Sequence, residues 1–485
     1  MRKHLYILFL LLCCSCNGWF SIEDETAEIS SKKAFQDEAS FYNALIGVYS
    51  QLSNPNLYGD CLSIGMLEYM GQNFTPDTPL SKAFAQFEYN NEEAEKQIAS
   101  TFQQMYKAIG GINQLIAELE KTTKEFYYKG QKEIILGEAY ALRGALHFDL
   151  MRLFHPNGKD NSFKGIPYMK QFGAIISAPQ DNRQLLDEVE KDLEKAFELL
   201  KGRDPILNGL ILKSVSFGQI DNYLRTFELN YYAVAAIQAR VYLYEQKYQE
   251  AYEKVLEVFS YFDKIDDTKQ IYHFVVPGKF ASDFCFSREH LFGISTLPDG
   301  FCRLSDKRFV DEKITTCTAL SAIYPDVNDI RYRNWFSSTA SGYVMSKKFG
   351  SQTLLIDYNR SDNGTTTDLP ARIPFIKLGE TALIAAECLN AQGNPSQALE
   401  WIDRLESTKN ISFAKKMTEN ASVTTTEVEQ LIEEEYRRDL FGEGQYFYYL
   451  KRKGKTIITD YANRTIQMDD KKYTLPIPNG AIAIE

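Results

Sequence analysis

The sequence predicts a mainly α-helical fold assembled from stacked helical hairpins, and three stretches predict it. In Tyr231–Phe259 (YYAVAAIQARVYLYEQKYQEAYEKVLEVF), Tyr232, Ala235, Ala236, Ala239, Tyr242 and Leu243 share one helical face. The chain then turns through Glu245, Gln246 and Lys247, and Tyr248, Ala251, Val255 and Val258 begin a second face of the same period. Two helices joined by so short a turn lie antiparallel, and the small alanines let their backbones come close. Ala139–Phe154 carries Ala139, Leu142, Ala145, Leu146, Leu150 and Leu153 on one stripe, followed by a charged periodic partner over Leu185–Leu200. Phe375–Leu405 repeats the hairpin, with Gly393, Asn394 and Pro395 as its turn. This is the pattern of tetratricopeptide-like hairpins, which cannot bury their apolar faces singly and stack on others of their kind.

Composition bounds the class. The 485 residues are 44% hydrophobic and 25% charged, as in an ordinary soluble globular protein. The formal net charge of -11, with no basic run, makes nucleic acid a poor partner. Aromatics reach 13%, with 30 Tyr and 31 Phe. Such rings fill cores and also stack on flat apolar ligand faces.

The N-terminus reads as an address. Arg2, Lys3 and His4 precede an apolar run, Leu5–Leu12, too short to span a bilayer. Then comes Cys13-Cys14-Ser15-Cys16, with Leu12 four residues before Cys16 and small Ser15 just before it. This resembles the lipobox of bacterial lipoproteins, with Cys16 as the lipidated residue and Cys14 as an alternative. The acidic run Ile22-Glu23-Asp24-Glu25 resembles surface-export signals of Bacteroidetes lipoproteins. Cys61, Cys285, Cys302, Cys317 and Cys388 are scattered and lack metal-ligand spacing, so no metal site is expected, and whether any of them pair stays open.

The remaining segments divide into helices and irregular chain. An amphipathic helix spans Lys33–Leu52, and another runs over Glu92–Glu120. Residues 70–90 are rich in turn formers and read as a loop holding Phe74, Phe84, Phe87 and Tyr89. Between Ile271 and Asp368 helical period fades, while Gly, Ser, Thr, Pro and aromatics dominate. A loop of that length in a compact protein is functional or disordered, and its aromatics argue against disorder. Sugar rings present a flat C–H face and a rim of hydroxyls, so a site for them needs aromatic faces beside amides, carboxylates or guanidinium groups. Trp335 with Asp329, Arg331, Arg333 and Asn334 supplies both kinds, as do Phe74 with Asn73 and Asp77, and Tyr89 with Asn90. Phe284 belongs to the same aromatic-rich stretch. Trp335, Tyr89, Phe74, Asn73, Asp77, Arg333 and Phe284 are therefore the candidate ligand-binding residues. Trp401 sits on a hairpin helix and is expected to pack.

Enzyme chemistry finds little support. His147 and His155 are eight residues apart, too far for the usual i, i+4 ligand pair. Glu433, Glu434 and Glu435 are consecutive and point around a helix, reading as a solvated face partnered by Arg437 and Arg438. No Gly-x-Ser-x-Gly elbow, P-loop or dinucleotide fingerprint occurs. No catalytic residue and no cofactor is expected.

Several blocks, in order, resemble the SusD/RagB family of outer-membrane nutrient-binding lipoproteins. They are Cys16-Asn17-Gly18-Trp19-Phe20; Phe41–Gly59, ending in Leu-Tyr-Gly; Met105–Ile109 with Asn113; Glu138–Phe154 with Arg143; Gly379–Leu389; Ile432–Leu450; and Thr474–Pro478. Against the family signature, Asp439 replaces a glutamate, Gln445 an arginine and Tyr449 an aspartate, which predicts the loss of an ion pair there. The proline usually found after the N-terminal Trp-Leu pair is also absent. The resemblance implies a right-handed superhelix of TPR-like hairpins with an irregular, loop-rich ligand-binding half packed against it. It implies a non-catalytic, cell-surface, lipid-anchored protein of the outer membrane that captures oligosaccharides for a SusC-like TonB-dependent transporter, over which it acts as a hinged lid.

The expected organisation is a signal peptide at 1–15, a lipidated anchor segment at 16–32 and a single SusD-like domain at 33–485. Helices are expected at about 33–58, 92–155, 185–260, 375–408 and 427–450, with irregular binding regions at about 60–91 and 271–370. The rival readings are the same lid with a peptide cargo, a TPR scaffold that binds no nutrient, and a lipid-anchored glycosidase.

Overall fold

A computed structural model describes residues 35–479 except 174–176, 210–223, 267–269, 277–282, 297–299, 351–371 and 420–421. Cys16 and the signal segment lie outside the described residues. Ten helices of eight residues or more are present among the described residues. They are α1 (Glu38–Leu52), α2 (Glu92–Lys121), α3 (Gln131–Phe154), α4 (Asn182–Leu200), α5 (Tyr231–Tyr244), α6 (Tyr248–Lys264), α7 (Leu378–Ala391), α8 (Pro395–Glu406), α9 (Thr425–Asp439) and α10 (Gln445–Arg452). No described helix is long and apolar enough to cross a membrane.

The helices pair as neighbours in sequence: α3 packs on α4, α5 on α6 and α7 on α8. The pairs also touch one another through α4–α5 and α6–α7. Each start has a local cause. Asp37, Asp181 and Thr424 close capping boxes at α1, α4 and α9, and Asn230 caps α5 through its side chain. Along α5, Ala235, Ala236 and Ala239 are fully buried. On α3, a Cβ at Gly144 would stand 3.2 Å from Leu193, so glycine there lets α4 approach. Trp401 on α8 is half-buried, with its ring 4.7 Å from that of Phe259 on α6.

The irregular half contains more structure than a loop. Pro79–Ala85 is a short helix, because Thr78 and Ser81 form a capping box with Pro79 at the first turn. The same residues read as turn formers in the sequence. Strand β1 (Ile166–Pro167) pairs with β2 (Pro179–Gln180). Strand β3 (His290–Ser295) pairs antiparallel with a strand at Arg372–Lys377 that leads directly into α7. Two hairpins follow the same economy: β4 (Ser337–Thr339) with β5 (Gly342–Val344), and, with Arg372–Lys377 counted as β6, β7 (Ile457–Thr459) with β8 (Thr465–Gln467). An isolated bridge joins Phe74 to Thr316.

His147 and His155 serve this scaffold. Each ring is neutral, its pKa driven down by burial to about 3 and about 4 respectively. His147 Nε2 accepts from the Met169 N–H at 2.9 Å and His155 Nε2 from that of Ile166 at 3.0 Å, fixing the β1 segment against α3.

Candidate functional site

The residues singled out by sequence fall into two groups. Trp335 is fully buried. Its Nε1 donates to the Phe284 carbonyl at 2.6 Å, and the Lys348 ammonium lies 3.8 Å from its ring centroid. Phe74 is fully buried among the rings of Phe309 at 4.9 Å and Phe441 at 5.5 Å. Tyr89 is buried and donates its hydroxyl to the Lys472 carbonyl. Asn73 is fully buried, and Phe284 packs half-buried against the core. Only Asp77 and Arg333 stand exposed. Trp335, Phe74 and Tyr89 thus present no open ring face in this structure. The physical reason is that a region poor in long helices draws its core from aromatics, while the polar neighbours that suggested a site are caps and ion pairs. Asp329, for example, accepts from the Arg331 N–H at 2.8 Å at the start of the Ile330–Trp335 helix.

A buried ionic network joins this half to the helices. Arg331, fully buried, pairs with Asp329 at 2.7 Å, Glu435 at 3.0 Å and Asp439 at 3.2 Å. Lys377 bridges Asp439 at 3.1 Å and Glu443 at 2.8 Å, and Lys348 reaches Glu443 at 2.7 Å. Burial pushes the Asp439 carboxyl up, but Lys377, Lys409 and Arg331 outweigh it and hold the group well below the usual carboxylate range. A Cβ at Gly379 would lie 2.1 Å from Asp439 Oδ2, so the first turn of α7 needs a glycine at this point. The expected loss of an ion pair is therefore corrected at Asp439, which is paired twice over. At Gln445 and Tyr449 hydrogen bonds stand instead, to Arg152 at 3.3 Å and Glu429 at 3.1 Å. Glu435 is likewise not part of a solvated face, since it is fully buried and holds Arg331 and Arg438.

Four segments far apart in sequence knit into one face. The Thr75 N–H donates to the Thr315 carbonyl at 2.9 Å and Cys317 N–H to that of Asn73 at 2.8 Å. Thr316 N–H donates to Tyr343 at 2.7 Å and Thr318 N–H to Tyr461 at 2.8 Å. On this face Tyr332 and Tyr343 are half-buried with ring centroids 5.7 Å apart, and the Tyr343 hydroxyl helps raise the Tyr332 phenol to about 12.

Beside it opens a cleft of about 400 Å³, walled by α9, the 319–323 segment, the β7–β8 hairpin and α10. Its polar lining includes Gln430, Glu433, Glu434, Arg437, Tyr446 and Asn463. Ile323, Leu450 and Ile458 supply aliphatic wall, and exposed Ile457 stands at its rim. Arg437 is fixed from behind. Its Nε donates to Asn73 Oδ1 at 3.0 Å and its Nη2 to the Gln72 carbonyl at 3.2 Å. Asn73 in turn donates to Glu68 at 2.8 Å, and Glu68 accepts from the Gly444 N–H at 2.7 Å. Burial raises the Glu68 carboxyl to about 7. Asn73 thus positions the Arg437 guanidinium. Glu433 pairs with Lys455, and Glu434 pairs with Arg438 at 3.4 Å and accepts from Gln430 at 3.1 Å. The arrangement offers hydrogen-bond donors and acceptors, already oriented, above aliphatic walls. The size is that of an ordinary small-ligand site. Sequence reasoning passed over Arg437 as a site residue, and over Asn463 and Tyr343. The alternation in IITDYANRTIQ, with Asn463 at a left-handed φ of 63°, was the available hairpin signal.

The five cysteines among the described residues, Cys61, Cys285, Cys302, Cys317 and Cys388, are all buried, and no disulfide joins them.

A helical scaffold with a polar-lined cleft beside a loop-built face is an architecture suited to holding a ligand. Two family models match the chain: "SusD family" over residues 327–483, and "Starch-binding associating with outer membrane" over residues 24–204. The chain belongs to the SusD/RagB family, whose members are non-catalytic binding proteins. Solved structures share its fold. A SusD superfamily protein from Bacteroides vulgatus aligns with TM-score 0.69 at 20% identity, over 92% of this chain and 97% of its own. A SusD-like carbohydrate binding protein from the same organism aligns with TM-score 0.67 at 15% identity, over 92% and 96%. A laminarin-binding SusD-like protein aligns with TM-score 0.61 at 18% identity, over 87% and 92%. No curated protein matches.

Proposed function

We propose that this chain is a cell-surface lipoprotein of the outer membrane that binds oligosaccharides and delivers them to a SusC-like TonB-dependent transporter. The observation that carries the reading is the cleft of about 400 Å³ between α9, α10, the 319–323 segment and the β7–β8 hairpin, beside the face where the chain segments around Thr75, Thr316, Tyr343 and Tyr461 meet. In a family of binding proteins, a pocket of oriented polar groups on such a face is the natural place for cargo. Sugar hydroxyls both donate and accept, which suits the mixture of amide, carboxylate and guanidinium groups there. On the adjoining face Tyr332 and Tyr343 are half-buried rings 5.7 Å apart, and Asp77 and Arg333 are exposed. The neighbours named for carbohydrate and laminarin binding support the same cargo class. Under this reading the hairpins wind as a right-handed TPR-like superhelix, and Cys16 carries the lipid that holds the protein at the membrane.

A second reading, peptide cargo, is favoured by one observation: Glu433, Glu434 and Arg437 outnumber the single aromatic, Tyr446, in the cleft. Calorimetry of the protein against panels of neutral glycans, acidic glycans and peptides separates the two. The proposal expects a glycan ligand whose binding is lost in a Glu434→Ala, Asn463→Gly double variant of unchanged thermal midpoint, glycine being at ease in the left-handed turn. Binding of peptides alone would overturn it.

A further inference from the structure

We propose that a small monovalent anion of the halide class binds inside the scaffold, in a cavity distinct from the loop-built cleft. The cavity, of about 30 Å³, lies where α3, α5, α7 and α10 converge. Its lining includes Arg152, Arg240, Arg452, Glu380, Gln445 and Tyr448. That volume accepts one ion or one or two waters.

The lining is rich in donors. Three guanidinium groups border the space, and each is matched in charge by one carboxylate, Glu380, Glu387 or Asp149. Each is held by a partner on one edge. Arg240 is bidentate to Glu380, at 2.7 Å through both Nε and Nη2, and Arg452 is bidentate to Glu387 at 2.6 and 2.7 Å. Arg152 clasps Asp149, and its Cζ lies 3.7 Å from the Tyr448 ring centroid. What these partners leave over is a surplus of N–H groups: Arg240 Nη1 and Arg452 Nε donate to nothing among the described residues. The Tyr448 hydroxyl is buried with no hydrogen-bond partner. A buried hydroxyl left unpaired costs free energy, and an ion that accepts from it and from the surrounding N–H groups relieves that cost. A halide accepts from several donors at once and gives none back, which matches this lining. Gln445 makes room for it. An arginine at this position, where the family signature has one, would reach into the same space; the shorter neutral amide leaves it open and accepts from Arg152 at 3.3 Å.

The test compares thermal unfolding of the protein in chloride, bromide and gluconate at constant ionic strength, with anomalous diffraction from a bromide-soaked crystal. A saturable rise of the midpoint by about 1–3 °C in chloride and bromide, absent in gluconate, is expected, with a bromide peak in the cavity. Tyr448→Phe should weaken the halide dependence. Gln445→Glu, which places a carboxylate beside Arg152, should abolish it while the protein remains folded. Equal midpoints in all three salts with no bromide peak would show a water-filled cavity and overturn the proposal. So would a halide effect that both variants retain.

Discussion

The helical hairpins and the loop-built half share buried ion pairs and differ in what packs around them. In the hairpins, buried alanine and leucine stripes do the packing, as along α5. In the irregular half aromatic rings replace those stripes, and the fully buried set of Arg331, Asp439, Lys377, Glu443 and Lys348 ties it to the hairpins, which carry buried pairs of their own such as Arg240–Glu380. The difference is instructive. Apolar burial tolerates drift in shape, whereas a buried ion network fails when one member is removed, because the others are left uncompensated. The second device suits a half that must hold loops at fixed positions without long helices to brace them.

The contrast can be broken from either side. Arg331→Met strands Asp329 and takes one of two cations from Glu435 and from Asp439, and should cost about 3–5 kcal/mol in chemical denaturation. Trp335→Ala should cost a comparable 3–5 kcal/mol, as a core aromatic does, since its ring is enclosed and its Nε1 holds Phe284. A neutral effect on stability would instead mark it as a ligand residue.

Acid sharpens the comparison on the helical side. Burial raises the Glu387 carboxyl, but Arg452 and Lys453 outweigh it and bring the group down from 4.5 to about 2. A depressed carboxyl gives stability that is complete above pH 4.5 and fades as pH falls toward 2. The difference in stability between the wild type and Glu387→Gln should therefore shrink by on the order of 3 kcal/mol across that window. A pH-independent difference would show that the pair contributes only packing.

In the hairpins, Ala236→Leu overfills the α5 interface and should cost about 1–3 kcal/mol, less than any break in the ion network. Smallest of all, Asp77→Ala on the open surface should leave stability within about 0.5 kcal/mol, and any larger loss would place it in the scaffold.

The two halves also differed in how much of them the sequence revealed. The hairpin over Tyr231–Phe259 could be read because helical period encodes burial directly: a face of alanines is a buried face. The irregular half has no period to read. Arg331 beside Trp335 looks the same in sequence whether it faces a sugar or a buried carboxylate, and here it faces three. Asn73 was legible as important and not as what it is, a buried amide that aims Arg437 from 364 positions away in the chain. Thr78-Pro79 read as a turn because capping residues and turn residues are the same residues. The cleft itself depends on Ala319, Glu433 and Asn463 meeting, and only the folded chain brings them together.

The central claim is that cargo binds at the cleft and that Trp335 belongs to the scaffold. Titration of a glycan panel into the wild type, the Glu434→Ala, Asn463→Gly double variant and Trp335→Phe tests it most directly. The account predicts that one glycan class binds the wild type, that the cleft variant loses it at unchanged thermal midpoint, and that Trp335→Phe retains it at a lowered midpoint. Binding that survives in the cleft variant and vanishes in a fully stable Trp335→Phe would contradict the account and return the site to the sequence-predicted aromatics.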